Sequence, residues 1–223
     1  MMAIKLPGIV TIALLGAAGA SAAPIPCISA TLASYTALSM GCSIGSTVFT
    51  GFGAFASVGT AIDPATVAVT PIFAGIDRGF RFDLNQTAGA GETFGILIGY
   101  SVTGAGGGSI ELNGSSVTPD GVNTGVLNAC AGDYDASGPT GCTGAESFGI
   151  AFDDGSSSQS LASLDLPTGS FDMFADIVID GGLSGSASLT SATVLQEVPE
   201  PAAWQVMLTG LASFAGIRKV VRK

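Results

Sequence analysis

Phe171-Asp172-Met173-Phe174-Ala175-Asp176-Ile177-Val178-Ile179-Asp180 is the stretch that decides the fold class. In an extended chain, successive side chains point to opposite faces. Phe171, Met173, Ala175, Ile177 and Ile179 therefore share one side, away from Asp172, Asp176 and Asp180. Such alternation places one face on a core and the other in water, the antiparallel case.

The same period recurs outward from this run. Phe80, Phe82 and Leu84 alternate with Arg81 and Asp83; Ile96, Ile98, Tyr100 and Val102 share a face; Ile110 and Leu112 alternate with Glu111 and Asn113. Phe148, Ile150 and Phe152 read as one more inward-facing set, and all eleven phenylalanines between the chain's two ends are expected in the core. Turn-forming clusters separate the runs: Gly89-Ala90-Gly91, Pro119-Asp120-Gly121, Gly138-Pro139, Asp154-Gly155-Ser156 and Pro167-Thr168-Gly169, with Gly104 to Gly108 read as a hairpin tip. Only Thr31 to Met40 suggests a turn or two of helix, with Leu32, Tyr35 and Leu38 on one side. The expectation is an all-β, antiparallel β-sandwich of about 8 to 10 strands, jelly-roll-like or Ig-like.

Composition narrows the setting. Charged residues make up 11% of the 223-residue chain, against about 25% in an average globular protein, and there are 33 glycines. From Ala23 to Val198 two arginines, Arg78 and Arg81, face sixteen carboxylates, a net charge of −14. Such a surface repels phosphates, whose binding depends on Lys and Arg contacts, which disfavours both nucleic acid and anionic lipid head groups as partners of the domain.

Both ends differ from this middle. Lys5, the apolar run Leu6 to Ala18 and the small residues Gly19 to Ala23 have the layout of a secretory signal peptide over residues 1–22, with cleavage after Ala22. At the other end Val198-Pro199-Glu200-Pro201 precedes sixteen apolar-rich residues, Ala202 to Ile217, and then Arg218-Lys219-Val220-Val221-Arg222-Lys223. The run is a little short of the ~20 residues that span a bilayer core. Val220, Val221 and snorkelling basic side chains make up the difference, giving a transmembrane helix over 202–217. Cations held on the cytoplasmic side put this end inside and the domain, residues 23–197, outside.

Pro199-Glu200-Pro201, the apolar segment with Trp204 near its start and the closing basic cluster together resemble the PEP-CTERM sorting signal, in its PEPAAW variant. The resemblance covers residues 198–223. It implies an exosortase-type processing enzyme as partner, acting at or near Pro199, Glu200 and Pro201, a transient stay in the inner membrane, and a final place at the cell surface or in an extracellular polysaccharide or biofilm matrix. Leu32 to Phe52 is also similar to the start of a β-rich group found upstream of this tail, which bears on fold and not on activity.

Four cysteines, an even count in an exported chain, imply disulfides. Of three connectivities, the sequence-local pairs Cys27 to Cys42 and Cys130 to Cys142 are preferred, each closing a loop worth about 3 kcal/mol.

No histidine occurs anywhere, which removes Ser-His-Asp and Cys-His catalysis, and the middle has no lysine for Schiff-base chemistry. Carboxylate pairs for glycoside hydrolysis are available in number, but the acids lie in turns or on solvent faces. The protein is thus expected to be non-enzymatic and without a resident cofactor, its alternative role being a carbohydrate- or calcium-dependent binding module. For calcium the candidate ligands are Asp133 and Asp135, in the Cys130 to Cys142 loop, with Asp153 and Asp154. The lack of an EF-hand glutamate and the internal Pro139 favour the plainer reading, an acidic, solvated loop tied by a disulfide.

Overall fold

In the computed structural model the described residues are 24–132, 142–165 and 169–198. The signal-peptide and sorting-tail readings, Asp133 and Asp135 lie outside them. The elements are β1 (Ile25–Pro26), β2 (Ala30–Thr31), α1 (Leu32–Thr36), β3 (Cys42–Ile44), β4 (Thr47–Ala56), β5 (Thr60–Ala61), β6 (Ala68–Ala74), β7 (Asp77–Ala88), β8 (Thr93–Asn113), β9 (Ser116–Val117), β10 (Val122–Ala131), β11 (Ala145–Asp153), β12 (Ser158–Gln159), β13 (Leu161–Leu164), β14 (Gly169–Asp180) and β15 (Ala187–Glu197). Nine strands of four residues or more carry the architecture, and the ladders are antiparallel except for the short pairs β1/β3 and β5/β8.

The 21-residue strand β8 belongs to both layers of the sandwich. Its first half pairs with β14 and β4, in a sheet that runs β3-β4-β8-β14-β10-β11. Its second half pairs with β15 and β13, in a sheet that runs β2-β6-β7-β15-β8-β13. The crossing occurs at Gly104 to Gly108, read above as a hairpin tip. These residues are instead the corner of a continuous strand, with Gly104 at φ +87° and Gly107 at φ +64°. Only a residue without Cβ turns the chain so sharply while it stays in register with partners on either side.

The core between the layers matches most of the alternation. Phe171, Met173, Ala175, Ile177 and Ile179 from β14 are buried, as are Ile96, Ile98, Tyr100 and Val102 from β8; Phe80, Phe82, Leu84, Ile110, Leu112 and Val194 are buried in the other sheet. One aromatic cluster sits at the centre: Phe80 packs edge-on against Tyr35, Phe49, Phe52 and Tyr100 at centroid distances of 4.7–5.8 Å. The short helix α1 supplies Tyr35 and Leu32 to this cluster, and its N-cap Thr31 accepts the Ser34 amide. The buried Tyr35 hydroxyl donates to the Ile28 carbonyl at 2.7 Å, and burial pushes its pKa up to about 12. A polar tie joins the layers, Gln196 Nε2 donating to the Tyr100 hydroxyl at 2.8 Å with both residues buried.

Both sequence-local disulfides are formed, Cys27–Cys42 and Cys130–Cys142, with Cα separations of 4.9 and 5.5 Å. They belong to an oxidising compartment.

One alternating set is reversed. Phe148 and Ile150 in β11 point outward, 66% and 43% exposed, while Ser147, Gly149 and Ala151 take the inner side. The expectation that all phenylalanines are core fails here, and also at Phe55 and Phe73, which are 58% and 65% exposed. The reason is the partner layer. A Cβ on Gly149 would lie 3.2 Å from the Ala162 methyl of β13, so the inner side of β11 has room only for small residues. With its inner positions taken by small residues, the strand carries its large apolar ones outward.

Candidate functional site

The outer face of the six-stranded sheet collects side chains that the alternation alone treats as solvent-facing. Residues paired across antiparallel strands present side chains to the same face. One row therefore runs Gly53, Gly99, Phe174, Asn128, Phe148 across β4, β8, β14, β10 and β11, and the next runs Phe55, Leu97, Asp176, Val126, Ile150. A third row holds Thr50, Ser101 and Asp172, with Cys130 and Glu146 at its far end. The result is an aromatic and aliphatic strip across five strands, edged by carboxylates.

Within it lies a groove of about 140 Å³, lined by Gly51, Gly53, Phe55, Gly99, Ser101, Asp172 and Phe174. The rings of Phe55 and Phe174 are laid against the backbone: a Cβ on Gly53 would fall 2.7 Å from the Phe55 ring and one on Gly99 2.9 Å from the Phe174 ring. Glycine at these two points makes a floor on which both rings lie close to the sheet. At one end Ser101 Oγ donates to Asp172 Oδ1 at 2.5 Å, and beyond it the Thr103 and Ser170 hydroxyls are 2.7 Å apart. Toward β11, Asn128 Nδ2 donates to Glu146 Oε1. Chemically the face combines aromatic surfaces, which attract weakly positive C–H groups to their electron-rich faces, with carboxylates and hydroxyls that accept or exchange hydrogen bonds.

Of the calcium candidates, the structure describes Asp153 and Asp154 alone. Asp153 is engaged locally, accepting from Ser115 Oγ at 2.6 Å and from the Gly155 amide at 3.1 Å. Asp154 closes its own turn, accepting the amides of Ser156 and Ser157 at 2.9 and 2.7 Å. Among the described residues no group of three or more His, Cys, Asp or Glu side chains is placed to hold a metal ion.

Hydrogen bonds, first that from the Ser157 amide, lower the Asp154 pKa from 3.8 to about 2. The folded pKa lies below the unfolded one, so the turn's contribution to stability is complete above about pH 4 and is lost as the pH falls through 2. A carbon-13 NMR titration of the Asp154 carboxyl is expected to find its midpoint near 2; a midpoint near 3.8 would show that the turn does not hold the anion.

The sequence does carry a trace of this face. Phe174 breaks the polar side of β14, standing between Asp172 and Asp176 where alternation calls for another hydrophilic residue. The pairing of Gly53, Gly99 and Phe174 in one row depends on register between strands distant in sequence, and no local pattern shows it.

No protein-family model matches this chain, and no curated protein sequence does. Among solved structures, the chain is similar to the carbohydrate-binding module TmCBM61 in complex with β-1,4-galactotriose, at 11% identity over 66% of this chain and 88% of that one, with a TM-score of 0.29. It is also similar to the enzymatically active domain of bacteriophage CBA120 tailspike protein 4, at 10% identity over 65% of this chain and 19% of that one, with a TM-score of 0.24. Superpositions this loose carry no weight in assigning a function.

Proposed function

We propose that the protein is a non-enzymatic, exported surface or matrix protein that binds extracellular polysaccharide on the outer face of its six-stranded sheet. The observation that carries the reading is the exposure of Phe55, Phe148 and Ile150 beside Phe174 on one face, where a sandwich with no external partner would present polar residues. Flat aromatic surfaces flanked by carboxylates suit pyranose rings, whose C–H faces stack while their hydroxyls donate to Asp172 and Glu146. The charge of the domain favours neutral or amino sugars over uronic acids. Delivery to the outside rests on the signal-peptide layout, the tail's resemblance to PEP-CTERM and the two disulfides.

A glycan array, probed with and without calcium, is expected to select hexose polymers, and isothermal titration then gives the affinity. Phe174→Ala and Phe148→Ala are each expected to weaken binding by about tenfold or more, the usual effect of removing a central aromatic anchor. Unchanged affinity in both variants, or an array with no glycan bound, sinks the assignment. Removing Pro199 to Lys223 is expected to change the fraction in which the protein is recovered from its host; identical fractionation would refute the sorting role.

A further inference from the structure

The last described residue is tied to a hairpin. Strands β6 and β7 are joined by Gly75 and Ile76, and the Val198 amide donates to the Ile76 carbonyl at 3.0 Å, directly after β15 ends beside β7 at the Glu197–Asp77 pair. Val198 therefore sits at this hairpin tip. The tip is apolar and exposed, Phe73 at 65% and Ile76 at 46%. The Arg78 guanidinium lies 3.6 Å over the Phe73 ring and donates to the Gly75 and Asp77 carbonyls, each at 2.7 Å.

Only Pro199, Glu200 and Pro201 separate Val198 from the apolar run that starts at Ala202. At no more than about 3.6 Å per residue, Ala202 lies within roughly 14 Å of Val198. The head-group layer of a bilayer is itself about 5–7 Å deep on each side. When the run is inserted, Val198 and the hairpin bonded to it are held within roughly 7–9 Å of the head-group surface. Its side chains also suit that position: an aromatic ring and an isoleucine for the interface, with the Arg78 guanidinium stacked on the ring. Arg78 is one of only two cations from Ala23 to Val198, and at this tip it stands beside the carboxylates of Asp77 and Glu197, so the apolar side chains and not net charge single the tip out.

We propose that the β6–β7 hairpin tip, Phe73 with Ile76, is a membrane-surface contact that seats the domain on the bilayer while the tail is inserted. The inference rests on reading 202–217 as a membrane segment. The test uses the full chain reconstituted in phosphatidylethanolamine/phosphatidylglycerol vesicles that contain nitroxide-labelled lipid. Trp204, the single tryptophan, reports on the tail in the unmodified protein. Phe73→Trp in a Trp204→Phe background reports on the hairpin. Leu183→Trp in the same background reports on the opposite end; Leu183 is 93% exposed and about 35 Å away along β15.

The expected result is strong quenching of Trp204 and of the Phe73→Trp indole, several-fold above that of the Leu183→Trp indole. If Trp204 is quenched but the Phe73→Trp indole matches the Leu183→Trp control, the hairpin contact is overturned and the membrane segment stands. If Trp204 itself is not quenched, the membrane segment fails and the hairpin contact fails with it.

Discussion

Phe80→Ala is expected to lower the unfolding free energy by about 3–5 kcal/mol, the usual cost of deleting a fully buried phenylalanine. For a domain of this size that corresponds to a fall in melting temperature of roughly 10 °C or more. Phe80 is inaccessible to solvent and is the common neighbour of Tyr35, Phe49, Phe52, Phe82 and Tyr100. Its removal takes away edge-to-face contacts with residues from α1, β4 and β8 at once, and the rings around it are held by their own strands, so the space cannot close fully. Phe148→Ala is the matched control. Phe148 is 66% exposed, and the change is expected to move stability by no more than about 0.5 kcal/mol. Thermal or denaturant unfolding followed by circular dichroism measures both. Equal losses in the two variants would mean that Phe80 does not organise the core, or that β11 is buried by something else.

The second large effect concerns the bond between Cys27 and Cys42. Replacing both by alanine is expected to cost about 3 kcal/mol from the loop closed in the unfolded chain. That loop spans a sequence separation of 15 residues and contains α1 with Tyr35 and Leu32. Cys42 is also fully buried in the core, so its loss adds a packing term larger than that at Cys27, which is only partly buried against the core. Further, β1 is held to β3 by a two-residue parallel pairing, Ile25 with Cys42 and Pro26 with Ser43, and by the Cys27 amide donating to the Ser43 carbonyl. So short a ladder does not hold a chain end by itself. Hydrogen exchange in the double variant is expected to show the region around Ile28 to Leu38 losing protection before the central strands. Unchanged exchange there, with an unchanged melting temperature, would refute this role for the disulfide.

The two predictions separate what alternation can and cannot reveal. In β7, β8 and β14 the large apolar residues at alternate positions are the buried ones, and the pattern points to the buried face correctly. In β11 the same pattern points the wrong way, because burial follows the space available in the opposing layer and not hydrophobicity alone. Period two states that two faces differ; it does not state which is inside.

The groove has a similar history. Only cross-strand register and the rings' placement show Gly53 beside Phe55 and Gly99 beneath Phe174. The calcium candidates differ again: Asp154 closes the turn that Asp154-Gly155-Ser156 marks in the sequence, while the bond from Ser115 to Asp153 joins residues 38 positions apart.

By itself, the sequence determined the all-β class, the acidic exterior, the two local disulfides and most of the core, because each follows from residues close together along the chain. Only the tertiary structure decided that β8 serves both sheets, that Gly104 to Gly108 form a corner, that Phe148 and Ile150 face outward beside Phe55 and Phe174, and that Val198 is bonded to the β6–β7 hairpin. Those features depend on which strand lies next to which, and on how much room the opposite layer leaves. Such constraints arise between residues up to about a hundred positions apart, as with Tyr100 and Gln196, where no local pattern reaches.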